Sequence, residues 1–105
     1  MARFISPLGQ TPDTKDISSS GNFTIDAIAD IVLDADGDEV IFKDGSISVG
    51  HVSMDSDNLT IKSLVSDKDI ILQGNDGGSA ITAITVDMSA AGKATFNNEI
   101  VSGAV

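Results

Sequence analysis

Apolar and polar residues alternate in short runs from Gly21 onward, and turns rich in Asp, Asn and Gly separate the runs. Apolar residues at every second position indicate β-strands, because successive side chains of a strand point to opposite faces. Turns about 8–12 residues apart are typical of all-β domains. The pattern therefore predicts an all-β fold of short antiparallel strands with Asp/Gly turns. The predicted strands are Phe23–Ala27, Ile31–Leu33, Val40–Phe42, Ile47–Val49, Leu59–Ile61, Ile70–Leu72, Ile84–Met88 and Ala94–Phe96, and Ile100 closes the chain.

The sharpest local signal is the pair Asp36-Gly37, which lies between two apolar runs. A two-residue type I′ turn suits this pair, because Gly adopts positive φ without a Cβ clash and the turn matches the twist of the strands. The pair therefore predicts a hairpin in which Leu33 faces Val40. The same register places Asp34 opposite Glu39, and like charges directly across a ladder are unfavourable. A neighbouring chain, a cation or a different register must resolve that conflict.

The predicted hairpin carries apolar side chains on both faces. One face is predicted to join a core with the apolar side chains of later strands. The other face, with Val32 and Ile41, would form an exposed apolar patch in a monomer, and such patches mark contact surfaces. Val32 and Ile41 are therefore predicted to bind sister chains in a symmetric oligomer. The predicted core consists of Phe23, Ile31, Leu33, Val40, Phe42, Leu59, Ile61, Ile70, Leu72, Val86 and Phe96.

The sequence contains an internal echo. Asn22–Ile25 followed by Asp30–Leu33 resembles Asn58–Ile61 followed by Asp69–Leu72. Two divergent copies are fewer than the three or more that a free-standing solenoid usually needs. The echo therefore favours a unit that stacks on other copies, in the same chain or in sister chains.

Residues 1–20 differ in composition from the rest of the chain. They contain both prolines and a small apolar patch at Phe4, Ile5 and Leu8, followed by a polar stretch with little periodicity. This composition predicts an extended N-terminal arm. The arm is either a frayed terminus or an anchor that inserts Phe4, Ile5 and Leu8 into a partner, and residues 21–105 are predicted to form a single β domain.

Charge and composition exclude several classes of function. Sixteen acidic residues against six basic ones give a formal charge of −10, which argues against binding nucleic acid or an anionic membrane surface. No run approaches the ~20 apolar residues of a spanning helix. The chain has no Cys, so disulfides and thiol chemistry are excluded. With few aromatic residues and a short chain, the core is expected to be small, and assembly often compensates for that shortage.

One acidic cluster and one glycine-rich run are candidate binding sites. Asp34, Asp36, Asp38 and Glu39 offer closely spaced oxygen ligands, but they lack the spacing of an EF-hand, so an acidic turn is predicted rather than a calcium site. The run Gly74–Gly78 lacks the Lys-Ser/Thr ending of a phosphate loop and is predicted to be a glycine-rich β-turn. One helical turn is predicted, Met88–Ala91, which Gly92 would stop.

His51 is the only histidine of the chain. No Cys or second His is present to complete a transition-metal site within one chain, and no nucleophile is recognisable beside it. Three His51 side chains from three chains could surround an ion on a threefold axis, but a structural or surface histidine is the simpler interpretation. The sequence therefore predicts no catalytic residue, no metal ligand, no cofactor and no enzymatic activity.

Four segments in order carry a resemblance to a known family: Asp30–Gly45, Asn58–Ser63, Ser66–Gly78 and Asp87–Asn98. Together they resemble the repeat cassette of tail-fibre-like and other virion structural proteins of marine bacteriophages. The resemblance covers roughly residues 21–100. It implies a non-enzymatic virion protein, a homotrimer of interwoven or stacked β-strands, attached to other virion proteins through the N-terminal arm.

The resemblance leaves the place on the particle open. Such proteins are usually much longer and carry a receptor-binding or self-cleaving tip that this chain lacks, so a short fibre segment, a capsid decoration or a small appendage are all compatible with it. The alternative function is a carbohydrate-binding β-sandwich. That alternative has no Trp or Tyr with which to stack on a sugar.

Overall fold

The computed structural model describes residues 16–103. The chain divides into two compact units, residues 1–32 and 33–105, and the described part of the first unit contains no strand. The second unit contains six strands, arranged as two three-stranded antiparallel sheets. The predicted all-β class is thereby confirmed. The strands are β1 Glu39–Asp44, β2 Ile47–Ser53, β3 Thr60–Ser63, β4 Ile70–Asp76, β5 Ser79–Asp87 and β6 Lys93–Phe96.

Sheet A contains β1, β2 and β3 in that order, and sheet B contains β4, β5 and β6 in that order. In both sheets the first two strands form a hairpin and the third strand pairs with the second. A β-bulge interrupts each hairpin: the register shifts after Phe42 in sheet A and after Leu72 in sheet B, which leaves Val49 and Ala83 without a cross-strand partner. A bulge of this kind bends and twists the strand that carries it.

Two tight turns explain why the hairpins close where they do. Gly45 and Ser46 connect β1 to β2, and Gly77 and Gly78 connect β4 to β5. All four residues have positive φ, as a type I′ turn requires at both central positions. In the second turn the side-chain oxygen of Asn75 also accepts a hydrogen bond from the Gly78 amide, at 2.7 Å. The glycine-rich β-turn predicted for Gly74–Gly78 is confined to Gly77-Gly78, because Gly74, Asn75 and Asp76 belong to β4.

The hairpin predicted around Asp36-Gly37 is wrong. A turn exists there, closed by a 2.9 Å hydrogen bond from the Asp38 amide to the Ala35 carbonyl, but Ile31–Ala35 belong to no strand. Positive φ falls on Asp38 and not on Gly37, so this is not a type I′ turn. β1 pairs instead with β2, across the Gly45-Ser46 turn.

The predicted core does not form within the single chain. Among residues 16–103 no apolar side chain is buried, and Ser53, 8% exposed, is the one buried residue. Of the predicted core residues only Val40, Ile70 and Val86 are half-buried. The physical reason is that each sheet is a single layer, and within residues 16–103 no second layer is packed over its whole apolar face. The remaining eight are exposed, namely Phe23, Ile31, Leu33, Phe42, Leu59, Ile61, Leu72 and Phe96.

Further predictions about local structure are wrong. Phe23–Ala27 and Ile31–Leu33 form no strand, and Ile100 is likewise outside any strand. Met88–Ala91 form a turn rather than a helical turn, because Ala91 has a φ of 58° and the Gly92 amide donates to the Asp87 carbonyl. Within residues 16–103 the only helix is a 3-10 turn at Asp55–Asp57. The predicted arm residues Phe4, Ile5 and Leu8 lie outside the described residues.

The two sheets repeat each other in backbone hydrogen bonding as well as in topology. The carbonyl of each bulge residue accepts a hydrogen bond from the residue that follows the third strand: Val49 from Leu64 at 2.8 Å, and Ala83 from Asn97 at 2.9 Å. The structural repeat therefore consists of a hairpin and a third strand. Its phase differs from the predicted echo, because residues 22–33, the first half of that echo, contain no strand.

Candidate assembly surface

Cross-strand register places most apolar side chains of sheet A on one face, because directly paired residues point to the same side. Val40, Val52 and Ile61 form one row across the three strands. Phe42 begins the next row, which continues through Gly50 and Ser63. We call this the apolar face of sheet A, and its two large β1 and β3 side chains, Phe42 and Ile61, are both exposed.

Sheet B has an equivalent apolar face. Its first row contains Ile70, Val86 and Ala94. Its second row contains Leu72, Ile84 and Phe96, and therefore has large side chains where sheet A has Gly50 and Ser63. Phe96 is 39% exposed, so even the better-filled face remains open to solvent.

A cavity of about 240 Å³ lies on the apolar face of sheet A, and we call it cavity A. It is bounded by Phe42, the bulge residue Val49 and Ile61, and its floor includes Gly50. Position 50 has no room for a larger residue, because a Cβ atom there would lie 2.9 Å from the Lys62 carbonyl oxygen. The full lining is Phe42, Val49, Gly50, His51, Val52, Ile61, Lys62, Ser63, Lys68, Asp69 and Ile70.

Cavity A extends beyond sheet A. Lys68, Asp69 and Ile70 belong to the connection into sheet B and to the start of β4, and all three line it. The Ser63 hydroxyl donates a 2.7 Å hydrogen bond to the Lys68 carbonyl, which holds this connection against the end of β3. Ile70 itself lies on the apolar face of sheet B, so the apolar surface continues from one sheet to the next.

The second cavity, cavity B, has a volume of about 280 Å³ and lies around the bulge of sheet B. It contains the bulge residue Ala83, as cavity A contains Val49. Its rim is formed by Asn97, Asn98 and Glu99 and has no basic residue, whereas Lys62 and Lys68 line cavity A. The full lining is Ile81, Ala83, Ile84, Phe96, Asn97, Asn98 and Glu99.

The opposite faces of the sheets are more polar. On sheet A, Ile41, His51 and Lys62 share a row, so the predicted partner-binding residue Ile41 does lie on the face opposite Phe42. Val32, its predicted companion, is exposed but belongs to no strand. The structure therefore does not bring Val32 and Ile41 together on one sheet face.

Two aspartate side chains accept hydrogen bonds that fix the ends of sheet B. One Asp87 oxygen accepts from the Ser89 hydroxyl at 2.7 Å and from the Ala90 amide at 3.1 Å. The Ser89 hydroxyl, the Ala90 amide and the nearby Lys93 charge hold the pKa of Asp87 below its ordinary value. Asp69 accepts the Met88 amide at 3.0 Å, which ties the β5–β6 turn to the start of β4.

Neither a metal centre nor a membrane span is found in the described part of the chain. Among residues 16–103 no three His, Cys, Asp or Glu side chains are grouped so that they could hold a metal ion, and this includes Asp34, Asp36, Asp38 and Glu39. His51 lies half-buried in β2. No helix in the same range is long and apolar enough to cross a membrane.

Sequence reasoning missed the two bulges and the cavities that they border. One signal was present: Gly50 interrupts an otherwise regular strand pattern, and a glycine inside a strand often marks a bulge or a close backbone approach. The bulge in sheet B had no glycine signal, because its extra residue is Ala83 and β5 contains no glycine.

Comparison of the chain with models of known protein families, with curated protein sequences and with solved structures gave no match.

Proposed function

We propose that this chain is a structural protein of a phage virion that works by assembling with copies of itself, as a homotrimer, and that it is not an enzyme. The observation that carries the proposal is the open apolar face of each sheet. Within residues 16–103 no apolar side chain is buried, although most apolar side chains of each sheet lie on one of its two faces.

The energetics favour covering these faces. Full burial of a Val, Leu, Ile or Phe side chain contributes roughly 1.5–3 kcal/mol. Each sheet leaves several such side chains exposed, including Phe42 and Ile61 in sheet A and Leu72 in sheet B. A single sheet with one open apolar face has little of this stabilisation, and a domain has only about 5–15 kcal/mol of net stability in total. Assembly through the apolar faces supplies what the single chain lacks.

The threefold symmetry and the virion location rest on the resemblance to tail-fibre-like proteins. An acidic surface supports a repetitive structural role, because a net charge of −10 keeps an abundant protein soluble. The alternative carbohydrate-binding function has less support. Cavity A offers one aromatic ring, Phe42, and cavity B offers one, Phe96, whereas sugar sites usually stack several aromatic faces.

Solution mass tests the assembly. One chain has a mass of 10.8 kDa, and we expect multi-angle light scattering at micromolar concentration to read three times that mass. The mass of a single chain would overturn the assembly, and the mass of two chains would keep the interface but reject the threefold axis.

The virion location needs a separate test. Particles of the phage that encodes the chain are purified on a density gradient, washed with salt and probed with antibody against the chain. We expect the chain to remain on the particles and to be visible by immunogold electron microscopy. Recovery of the chain only in the particle-free fraction would overturn the virion role.

A further inference from the structure

We propose that the segment Asp30–Asp34 of one copy adds as a fourth strand to the free edge of β3 in a second copy. The inference rests on the proposed self-assembly and names the contact that holds two copies together. The donated segment is called the Asp30–Asp34 segment below.

The Asp30–Asp34 segment has the properties of a strand without a sheet. Ile31, Val32 and Leu33 are 53%, 81% and 62% exposed, and none of them belongs to a strand. Its sequence, Asp-Ile-Val-Leu, matches Asp69–Leu72 at three positions and has Val for Ile at the other. In that second occurrence of the motif, Ile70–Leu72 are part of β4, where a neighbouring strand is available. The segment is therefore competent to pair once it meets an edge.

The turn that follows the segment connects it to β1 without pairing the two as a hairpin. Ala35–Asp38 is closed by a hydrogen bond between residues three apart, and it leads directly into β1, the first strand of sheet A. The corresponding turn before sheet B is Val65–Lys68, closed by the Lys68 amide on the Val65 carbonyl at 3.1 Å. That second turn joins β3 to β4, which lie in different sheets. By analogy, the first turn joins β1 to a segment that pairs with a strand outside the sheet A of its own chain.

β3 offers an edge for such a strand. It is the outer strand of sheet A, and the Leu64 amide just beyond it points to β2, where it reaches the Val49 carbonyl. Backbone groups alternate in direction along an antiparallel strand. The N–H and C=O groups of Ile61 and Ser63 therefore point outward, ready for a further strand, and unpaired edges of this kind are natural sites of strand addition.

The side chains of the segment suit both faces at this edge. If Ile31 and Leu33 lie on the apolar face, they continue the row of Ile61 and extend over the small side chains that leave cavity A open. The alternation of a strand then places Asp30 and Asp34 on the opposite face. Lys62 lies on that face of β3, opposite His51.

Charge distinguishes β3 from the other edges. Lys62 lies on the polar face of β3, and Lys68, between Asp67 and Asp69, follows it in the connection to β4. The outer strand β1 carries Glu39 and Asp44 against Lys43. In sheet B, β4 has no basic residue, and the single lysine of β6, at position 93, is already opposite an aspartate in β5. An apolar segment flanked by aspartates therefore finds its best electrostatic complement at β3.

Crosslinking tests the contact, since a chain without Cys reacts only at introduced thiols. Leu33→Cys and Ile61→Cys are placed in separate chains with different affinity tags and coexpressed. A short bis-maleimide then spans the ~5–8 Å between direct or diagonal cross-strand neighbours. We expect a covalent species with the mass of two chains that carries both tags.

The matched control pairs Leu33→Cys with Ala94→Cys. Ala94 occupies in the edge strand β6 the row position that Ile61 occupies in β3. Crosslinking to Ala94→Cys as efficient as to Ile61→Cys would overturn the proposal. A chain with both Leu33→Cys and Ile61→Cys gives the remaining comparison, because an internal crosslink at monomer mass would show that the segment pairs with its own sheet.

Charge reversal tests the electrostatic half. We expect Lys62→Glu with Lys68→Glu to weaken association about two- to fivefold at low salt, as exposed ion pairs contribute modestly. Lys43→Glu, on the opposite edge of sheet A, should weaken association less. Asp30→Lys with Asp34→Lys should restore association to the chain that carries Lys62→Glu and Lys68→Glu. Circular dichroism confirms that each variant is folded.

The outcomes separate this inference from the proposed function. A three-chain assembly without the crosslink between positions 33 and 61 would overturn strand donation and leave self-assembly intact. A monomer at all concentrations would overturn both. Association unchanged by reversal of both lysines would overturn the assignment to the β3 edge.

Discussion

Sheet A and sheet B have the same strand order, the same antiparallel pairing and a bulge at the same point, but they differ in one row of side chains. In sheet A that row is Phe42, Gly50 and Ser63, and in sheet B it is Leu72, Ile84 and Phe96. The backbone repeat therefore does not depend on the size of these side chains.

The difference separates what builds a sheet from what covers it. Tight turns and ladder hydrogen bonds are the same in both sheets, so they specify the backbone. The side chains of the second row then determine how full the apolar face is. In sheet A the small residues Gly50 and Ser63 leave cavity A open. In sheet B large side chains fill the equivalent row. The same backbone repeat thus carries two different apolar surfaces.

The largest expected effect on stability comes from truncating Phe96 in the second row of sheet B. Truncation of a fully buried Phe costs about 3–5 kcal/mol. Phe96 is only partly buried in the single chain, so Phe96→Ala should cost about half of that in dilute monomer and approach the full value where assembly covers sheet B. Urea unfolding at low and high protein concentration measures both values.

Thr95→Ala is the matched control, because Thr95 precedes Phe96 in β6 and points to the polar face. We expect it to unfold close to the parent protein. If Phe96→Ala lost the same amount at both concentrations, the apolar face of sheet B would not be part of the interface.

The second prediction concerns Gly50, the smallest residue of the second row of sheet A. A methyl group at position 50 would lie 2.9 Å from the backbone oxygen of Lys62, closer than real Cβ contacts allow. Gly50→Ala should therefore push β2 and β3 apart and lower the free energy of unfolding by about 1–3 kcal/mol, the usual range for overpacking. Thermal unfolding gives the overall loss, and hydrogen exchange of β3 amides localises it.

Gly74→Ala provides the contrast from sheet B. Gly74 also lies inside a strand, but a Cβ there would meet no atom within 4 Å. Gly→Ala at a compatible site stabilises by about 0.4–1 kcal/mol because it reduces the entropy of the unfolded chain. Equal destabilisation by both substitutions would mean that the close approach at Gly50 has no energetic role.

The sequence predicted the sheet B strands better than the first part of the chain. β4 and β5 carry apolar residues on either side of a double glycine, so composition and turn chemistry agree, although both strands are longer than predicted. In the Asp36-Gly37 region they conflict, since the hairpin pattern there placed two acidic residues opposite each other. Gly45-Ser46 closes the real hairpin, although Ser has no special preference for positive φ.

The candidate surface was predictable only in part. Alternation correctly placed Phe42 and Ile61 on apolar strand faces, but the prediction that these faces form a buried core was wrong. Periodicity reports which face is apolar and says nothing about what covers it. Cavity A depends on a bulge and on the register that brings Gly50 and Ser63 together across two strands, and both are tertiary features.

The smallest effect concerns the turns that close the third strands. In sheet B the turn is held by the Asp87 carboxylate, whereas the matching row position in sheet A is Ser53, which cannot ionise. The Ser89 hydrogen bond, first among its causes, holds the pKa of Asp87 below its ordinary value of 3.8. A lowered folded-state pKa means that Asp87 stabilises the fold above about pH 4, and that this stabilisation is lost as the pH falls through the folded pKa.

Removing the Ser89 hydroxyl should therefore raise the pKa of Asp87 toward its ordinary value and shrink the acid-dependent part of stability, while stability at neutral pH falls slightly. Unfolding of Ser89→Ala and of the parent is compared between pH 2 and pH 7. The control is Ser79→Ala, which removes a hydroxyl from the same sheet at the β4–β5 hairpin, away from Asp87. If Ser89→Ala and Ser79→Ala gave the same pH profile as the parent, the Ser89 hydroxyl would not be what lowers the pKa of Asp87, and the Ala90 amide and the Lys93 charge would account for the lowered value.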